Sequence, residues 1–300
     1  GILSSLRYAC NRKRNRVYLG HLARVFPGKS DHDLATLLKH YWRVHQRAFL
    51  GLFFSGRFHG VNTPSRVELV NVSLLDTALE EGNGVLLLVP HFGDERMLHI
   101  LLSILGYPMH TISSRYADAP DAVRKARLSV STKLHHVAFP DDDPRWIYET
   151  LKKGEIIQIS PTAWGGSKGH WVNSFGVPVL ASSTPLRLAK STGCKLLIAC
   201  NHALPGVRYR ITFQCFDPEH FDSRGTADLF SRFEILGKDN PDQYNWMNLV
   251  IRHRETNTMA RLGVIPREEK DVESLAIESD WDPDNIRDFQ SVSSLTGLSR

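Results

Sequence analysis

The sequence predicts an α/β fold, in which a central, mostly parallel or mixed sheet is flanked by helices. Short apolar runs typical of buried strands alternate along the chain with segments of helical periodicity. The clearest unit is the apolar run 85–90, which a turn connects to a segment with apolar residues at helical spacing from Met97 to Leu105. The 300 residues are 42% hydrophobic and 23% charged, which allows a sizeable core.

The first sixty residues are predicted to be helical and basic. One helix is expected over 3–25, and the sequence Phe-Pro-Gly at 26–28 ends it. Ser30 then begins a long second helix, with Asp33 three residues later in a position like that of a capping box. This helix ends in the apolar run 48–54, which we interpret as core packing in preference to a face that dips into a membrane.

Beyond a loop and strand at 56–72, strands and helices alternate at short spacing. Strands are predicted at 85–90, 108–114, 133–140, 155–161, 195–201 and 207–215. Helices are predicted at 74–81, 95–105, 118–130, 144–153, 184–192 and 241–261, whereas the Gly-rich segment 162–182 is interpreted as irregular. Since neither a repeat nor a linker divides the first part of the chain, we expect one domain at 1–265 and an acidic polar tail at 266–300.

Composition argues against several classes of function. The four cysteines form no C-x-x-C pair, so the sequence predicts neither a zinc site nor a disulfide framework and favours a cytoplasmic setting. Phosphate-loop, dinucleotide-binding, zinc-protease and nucleic-acid motifs are absent from the sequence. We therefore expect no metal, no cofactor and no nucleic-acid partner.

The charge is distributed unevenly. The net charge is +5, with basic residues concentrated at the start of the chain and acidic ones at its end. A basic front end suits an anionic membrane surface, an acidic carrier protein or nucleic acid, although a solvated helix face explains it more simply. No apolar run reaches the ~18 residues that a spanning helix needs. The chain begins at Gly1 rather than Met, which leaves open that a membrane anchor was removed.

His91 is the leading catalytic candidate. It follows the predicted strand 85–90 and precedes a helix for which Asp94 is a good N-cap. In open α/β sheets, ligands bind at the carboxyl ends of the strands. Carboxylates within one turn are able to hold the tautomer of an imidazole and stabilise its protonated form. We therefore interpret His91 as a base that takes a proton from an acceptor hydroxyl or amine, in preference to a structural histidine.

Two further motifs have simpler explanations. The segment 165–169 (GGSKG) matches the nucleophile-elbow pattern, but the helix that an elbow requires does not follow it. We interpret it as a flexible loop in which Lys168 meets a phosphate or carboxylate, and rank a hydrolase that uses Ser167 lowest. The acidic run 141–143 precedes Pro144, which favours a helix start over a metal site.

Four segments in order carry a resemblance to a known family. Residues 89–96 (VPHFGDER), with LGYP at 105–108, resemble the core of the bacterial lipid A late acyltransferases. The related phosphatidylinositol mannoside acyltransferases of the lysophospholipid acyltransferase superfamily are similar too. Residues 26–30, 159–176 and 185–193 resemble the early F-P segment, the second signature and the L-A-x-x-T-G helix of that family. The resemblance covers roughly residues 20–215.

The resemblance implies transfer of an acyl chain from an acyl-carrier-protein or acyl-CoA thioester to an amine or hydroxyl acceptor. It implies a protein peripheral to the inner, cytoplasmic face of the cell membrane, with no metal or redox cofactor. The family uses a histidine as general base, aided by an acid at H-x4-[DE], and Arg96 occupies that position here. The second signature normally has an aspartate after its proline, where this chain has Thr162.

Two outcomes follow from the missing acids. In the first, Glu95 or, less favoured, Asp94 replaces the usual acid, although a shift of one residue rotates a helix by ~100°. In the second, the pair is broken and the protein is a non-catalytic acyl-lipid or acyl-carrier binding protein.

The predicted site comprises the base His91, its partner Glu95 or Asp94, and an oxyanion site of amides near Gly93 or in the 165–169 loop. Substrate-binding residues are predicted at Arg96, Arg115, Gly165 and Lys168.

Overall fold

The computed structural model describes residues 8–53, 65–112, 134–137, 145–161 and 169–246. In chain order, the described helices are α1 (Arg12–Val25), α2 (Asp31–Phe53), α3 (Ser73–Glu80), α4 (Glu95–Ile104), α5 (Arg145–Lys152), α6 (Thr184–Thr192) and α7 (Ser223–Asp239). The described strands are β1 (Val67–Val70), β2 (Val85–Leu88), β3 (Met109–Ile112), β4 (Leu134–Val137), β5 (Ile156–Ile159), β6 (Gly169–Ser174), β7 (Val177–Ser182), β8 (Lys195–Leu204) and β9 (Arg208–Cys215).

A seven-stranded mixed sheet with the order β1-β9-β8-β2-β5-β3-β4 forms the centre of the described structure. Every neighbouring pair in it is parallel except β8 and β9. In the middle of the sheet, Val85 of β2 is in register with Ile156 of β5 and with Lys195 of β8. The predicted α/β fold with a mostly parallel or mixed sheet is confirmed.

Two apolar cores cover the two faces of this sheet. Strand β2 is buried on both faces, and its alternate side chains enter different cores. Leu86 and Leu88 pack in one core with side chains of α1, α2, α5, α6 and α7. Val85 and Leu87 pack in the other core with side chains of α3 and α4. The described chain is therefore a sheet between two helical layers.

The N-terminal helices follow the sequence prediction closely. The Ser30 hydroxyl accepts the Asp33 amide at 3.2 Å and donates to its carboxylate at 2.7 Å, which is the predicted capping arrangement. That side-chain hydrogen bond lowers the pKa of Asp33. Trp42 of α2 donates from Nε1 to Asn15 Oδ1 of α1 at 2.9 Å, which joins the two helices. Ala48 is buried as predicted, whereas the side chains of 49–54 lie outside the described residues.

The prediction of irregular structure at 162–182 was wrong for its second part. Strands β6 and β7 pair as an antiparallel hairpin whose turn residues, Phe175 and Gly176, have φ values of 54° and 79°. Positive φ at both turn positions is typical of a tight hairpin, but phenylalanine is a rare first residue there. The Phe175 amide donates to the Glu234 carboxylate at 2.6 Å, and its ring packs against Tyr244. Contacts with α7 and with Tyr244 therefore stabilise a turn that the local sequence does not predict.

One helix of the C-terminal part was missed, because α7 was not among the predicted helices. Of the helix predicted at 241–261, residues 241–245 form turns and a β-bridge and Trp246 is helical, whereas 247–261 lie outside the described residues. Asp222 caps α7 by accepting the Arg224 amide at 2.9 Å, a signal that was present in the sequence. The other described elements begin and end within a few residues of their predicted bounds. The predicted helix at 118–130 and tail at 266–300 lie outside the described residues.

None of the helices in the described ranges combines the length and apolar character that crossing a bilayer requires.

Candidate active site at the end of strand β2

Three neighbouring strands bring the candidate site residues to one edge of the sheet. His91 lies just past the carboxyl end of β2, and Ser160 directly follows β5, its parallel neighbour. On the other side of β2, Asn201 of β8 forms a parallel bridge with Gly93. The site therefore lies where open α/β sheets usually bind their ligands, as predicted from the sequence.

His91 and Glu95 form a close pair. The His91 Nδ1 and Glu95 Oε2 atoms are 2.6 Å apart, and 15% and 26% of the two side chains are exposed. Glu95 is the first residue of α4, whereas His91 lies in the preceding turn. The turn brings the carboxylate to the imidazole although the spacing is H-x3-E. The amide of Gln158 in β5 donates to the Glu95 carbonyl oxygen at 3.4 Å and so contacts this start of α4.

The charge of Glu95 fixes the tautomer of His91. Burial has the largest single effect and raises the pKa of Glu95. The charge and hydrogen bond of His91, together with the charges of Arg96 and His45, outweigh burial and bring this pKa below its usual value. As an ionised carboxylate, Glu95 only accepts hydrogen bonds, so Nδ1 of a neutral His91 carries the proton. The other ring nitrogen, Nε2, is then the basic one.

Ser160 is a site residue that the sequence interpretation did not single out. Its hydroxyl oxygen lies 3.2 Å from His91 Nε2. With Nε2 unprotonated, Ser160 donates and Nε2 accepts. The available signal was positional, because Ser160 follows a buried strand just as His91 does. Ser160, His91 and Glu95 together form a hydrogen-bonded chain.

Asp94 is buried and is bound to residues of β8 and β9. Its side chain is 1% exposed, and the Tyr209 hydroxyl donates to Asp94 Oδ2 at 3.4 Å. Its backbone is fixed to Asn201, whose carbonyl accepts the Asp94 amide at 3.0 Å and whose Nδ2 donates to the Asp94 carbonyl at 2.7 Å. The Asp94 side chain makes no capping hydrogen bond to α4, which corrects its predicted role as an N-cap. Burial and the Asp94 carboxylate raise the pKa of Tyr209.

Gly93 allows the tight turn between His91 and α4. Its φ is +56°, and a Cβ at this position would lie 2.0 Å from the Asn201 carbonyl oxygen. The Gly93 amide donates to the Gln243 carbonyl at 2.7 Å, so among the amides near Gly93 this one is already paired. The Asn245 amide donates to the His91 carbonyl at 2.8 Å. Residues 243–245 therefore clamp the turn from outside the sheet.

Arg96 is exposed on the first turn of α4, next to Glu95. Its charge lowers the pKa of Glu95, as does the charge of His45 in α2. The other predicted substrate-binding residues, Arg115, Gly165 and Lys168, lie outside the described residues, as does Ser167. Within the described ranges, no group of three or more His, Cys, Asp or Glu residues could hold a metal ion.

A comparison of the sequence with known protein families identifies one that matches most of the chain. The sequence model of the family described as bacterial lipid A biosynthesis acyltransferase matches residues 5–251. The chain belongs to this family. No curated protein matches the chain significantly. Membership in a lipid A biosynthesis acyltransferase family supports acyl transfer to a lipid acceptor as the general activity, and the matched segment contains every residue of the site described above.

Proposed function

We propose that this family member transfers an acyl chain from an acyl-carrier-protein or coenzyme A thioester to an amine or hydroxyl of a lipid acceptor, with His91 as general base. The observation that supports this most is the 2.6 Å contact between His91 Nδ1 and Glu95 Oε2. It supplies the orienting acid that the H-x3-E spacing had put in doubt. A base that is held in one tautomer suits catalysis better than a purely binding role.

The proposed reaction is a direct attack of the acceptor on the thioester. His91 Nε2 takes the proton of the acceptor hydroxyl or amine while the acceptor atom bonds to the acyl carbon. The tetrahedral intermediate then expels the thiolate, which takes the proton back from His91. Glu95 stabilises the transient imidazolium. The first-turn amides of α4 are not capped by the Asp94 side chain, and the positive end of this helix favours the oxyanion.

The proposed role of Glu95 predicts a clear order of rates in a thioester-loss assay. Glu95→Gln is expected to slow acceptor-dependent loss by roughly 10²-fold or more, because a neutral amide no longer stabilises the imidazolium. Arg96→Glu is expected not to raise the rate, because Glu95 already occupies Nδ1. The assay follows loss of acyl-carrier-protein and acyl-CoA donors with and without glycolipid and phospholipid acceptors.

Glu149→Gln on the exposed surface of α5 is the matched control and should retain the wild-type rate. Acceptor-dependent turnover that Glu95→Gln leaves intact would remove Glu95 from the mechanism. Tight donor binding without turnover, for every acceptor, would instead favour the acyl-binding protein.

We further propose that the basic N-terminal part lies against an anionic membrane surface, on the cytoplasmic side. Residues 1–67 contain twelve lysines and arginines but only two acidic residues, Asp31 and Asp33. On α2, Lys39, Arg43 and Arg47 are exposed at four-residue spacing and so share one face. The Lys39 ammonium lies 5.6 Å from the centre of the Tyr8 ring, which connects this face to the segment that precedes α1.

An open cleft of about 380 Å³ on α1 extends the same basic surface. Its lining residues are Tyr8, Ala9, Arg12, Asn15, Arg16 and Leu19. Two arginines in one cleft with an aromatic and an aliphatic side chain suit a phosphate headgroup at the boundary of a bilayer. This cleft supports a lipid surface over a purely solvated helix face.

Sedimentation with vesicles tests the membrane proposal. The protein is expected to bind vesicles of phosphatidylcholine with phosphatidylglycerol, but not vesicles of phosphatidylcholine alone. Replacing Lys39, Arg43 and Arg47 together with glutamine should weaken this binding by roughly 10²-fold, since each cation contributes about 1 kcal/mol near an anionic surface. The control replaces three exposed cations elsewhere, Arg187, Lys190 and Arg208, and should bind almost normally. Equal weakening by both triple variants would show that net charge alone matters.

A further inference from the structure

We propose that the tip of the β8–β9 hairpin is the surface on which an acidic acyl-carrier protein docks when it delivers its thioester to His91. The tip comprises the loop 205–207 and three exposed arginines beside it, Arg66, Arg208 and Arg210. This inference rests on the proposed acyl transfer and adds the place where a protein donor binds.

The tip lies beside the candidate site and projects past it. Strand β8 runs parallel to β2, and Asn201 of β8 bridges Gly93 in the turn after His91. The strand continues for three residues beyond Asn201 to Leu204, which adds about 10 Å of strand length. A protein bound to the tip therefore holds its prosthetic arm next to the edge of the sheet where His91 lies.

The tip has an excess of positive charge. Arg210 pairs with the Glu68 carboxylate at 2.8 Å, and both side chains are about half exposed. Arg66 and Arg208 instead donate to backbone carbonyls of the loop 205–207, at 3.3 Å and 3.1 Å, and neither pairs with a carboxylate of the described residues. Each contact uses one of the five N–H donors of a guanidinium, so both arginines retain donors for the carboxylates of a partner.

The chain around the hairpin is depleted of acidic residues. Between Glu155 and Asp217, sixty-one consecutive residues contain six lysines and arginines but no aspartate or glutamate. A chain with 32 acidic residues in 300 would place about six in a stretch of this length. An acidic protein that approaches the hairpin therefore meets no carboxylate from β8, from β9 or from the loop between them. This charge complementarity favours an acidic partner.

Val207 gives the tip an apolar contact residue. Its φ is +55°, which is unfavourable for a β-branched residue, and 38% of its surface is exposed. Burial within the chain therefore offsets only part of the backbone cost, and strain of this kind clusters at binding and active sites. An exposed tip with an apolar side chain among arginines fits the surface of a protein, whereas a nucleotide such as coenzyme A binds in a concave site.

Binding of a carrier protein tests the proposed surface. The probe is an acidic acyl-carrier protein that is loaded with dodecanoyl phosphopantetheine and labelled for fluorescence anisotropy. Replacing both Arg66 and Arg208 with glutamate is expected to raise the Kd of this probe by roughly 10-fold or more. Added salt should weaken binding to the wild-type protein far more than binding to this tip variant. Val207→Gly should also raise the Kd, without making the protein easier to denature, because it removes the strain together with the side chain.

Replacing both Lys152 and Lys153 with glutamate is the matched control. These exposed lysines precede β5 and so lie at the opposite edge of the sheet, and the change in charge is the same. The control variant should bind the carrier protein almost as the wild type does. Circular dichroism shows whether both double variants are folded. Dodecanoyl-pantetheine, a donor without a protein, should be turned over by both at the wild-type rate.

Each result has a distinct meaning. Weaker carrier binding by the tip variant alone, with unchanged turnover of dodecanoyl-pantetheine, supports the docking surface. No binding by the wild-type protein, or equal Kd values for the two double variants, would overturn it. Weaker sedimentation of the tip variant with anionic vesicles, at an unchanged carrier Kd, would overturn it in favour of a membrane contact.

Failure of this inference is separable from failure of the proposed function. Transfer that persists while the tip variant binds the carrier normally refutes the docking surface and leaves the proposed function standing. Carrier binding that depends on the tip, without transfer to any acceptor, refutes the proposed function and leaves the docking surface standing.

Discussion

Replacing His91 with alanine is expected to lower acceptor-dependent thioester loss by about 10²–10⁴-fold, the contribution of a general base. The physical reason is that Nε2 is the only ring nitrogen of His91 left to take a proton, since Glu95 occupies Nδ1 at 2.6 Å. Initial rates with saturating donor and acceptor measure the effect. His32→Ala, an exposed histidine at the start of α2, is the matched control and should keep the wild-type rate. Full activity in His91→Ala would exclude this histidine as the base.

The pH dependence of stability adds a second measurement of the same pair. The pKa of Glu95 is lowered in the folded protein. The contribution of Glu95 to stability is therefore complete above its unfolded pKa and is lost as the pH falls through its folded pKa. Glu95→Gln should remove this contribution, because glutamine carries no charge to lose. Chemical denaturation from neutral to acid pH measures it, and the wild-type protein should lose more stability than Glu95→Gln as the pH falls. Equal losses would argue against electrostatic stabilisation of the Glu95 carboxylate by His91.

The central part of the fold was predictable because its signals are local. The apolar run of β2, the turn after it and the helical spacing of α4 all lie within twenty-one consecutive residues, 85–105. The signal that ends α6 at Gly193 is equally local, since the φ of 73° at Gly193 is the left-handed conformation that glycine adopts readily. Where a structure depends on distant partners, the prediction failed. Phe175 holds a positive φ through Glu234 and Tyr244, and both partners lie more than fifty residues away.

The same distinction applies to the site. His91 and Glu95 were predictable because they are four residues apart and lie at one strand end. The spacing in the sequence did not show whether Glu95 or Asp94 is the partner of His91. The Asp94 carboxylate accepts a hydrogen bond from Tyr209, and Tyr209 comes from the distant strand β9. Ser160 was missed for a related reason. It meets His91 only because β5 pairs in parallel with β2, and that neighbour relation is set by the order of the strands.

Replacing Gly93 with alanine is expected to lower the free energy of unfolding by about 2–4 kcal/mol and to abolish activity in the protein that remains folded. A non-glycine residue at a φ of +56° costs about 1–2 kcal/mol. The remainder is steric, because the new Cβ would lie 2.0 Å from the Asn201 carbonyl oxygen, and backbone cannot move aside as a flexible side chain does. When the turn at Gly93 moves away from β8, the 3.0 Å hydrogen bond from the Asp94 amide to the Asn201 carbonyl breaks, and His91 is displaced from Glu95.

Gly106→Ala isolates the steric part of this effect. Gly106 also has a positive φ, +103°, but a Cβ there meets nothing within 4 Å. It should therefore lose only the conformational contribution, about 1–2 kcal/mol, and retain the wild-type rate. Chemical denaturation of both variants gives the two free energies, and the transfer assay gives the two rates. If both variants lose the same stability and both stay active, the close approach of β8 to the turn does not position the site. A larger loss at Gly93, accompanied by inactivity, means that the contact between Gly93 and Asn201 holds His91 and Glu95 together.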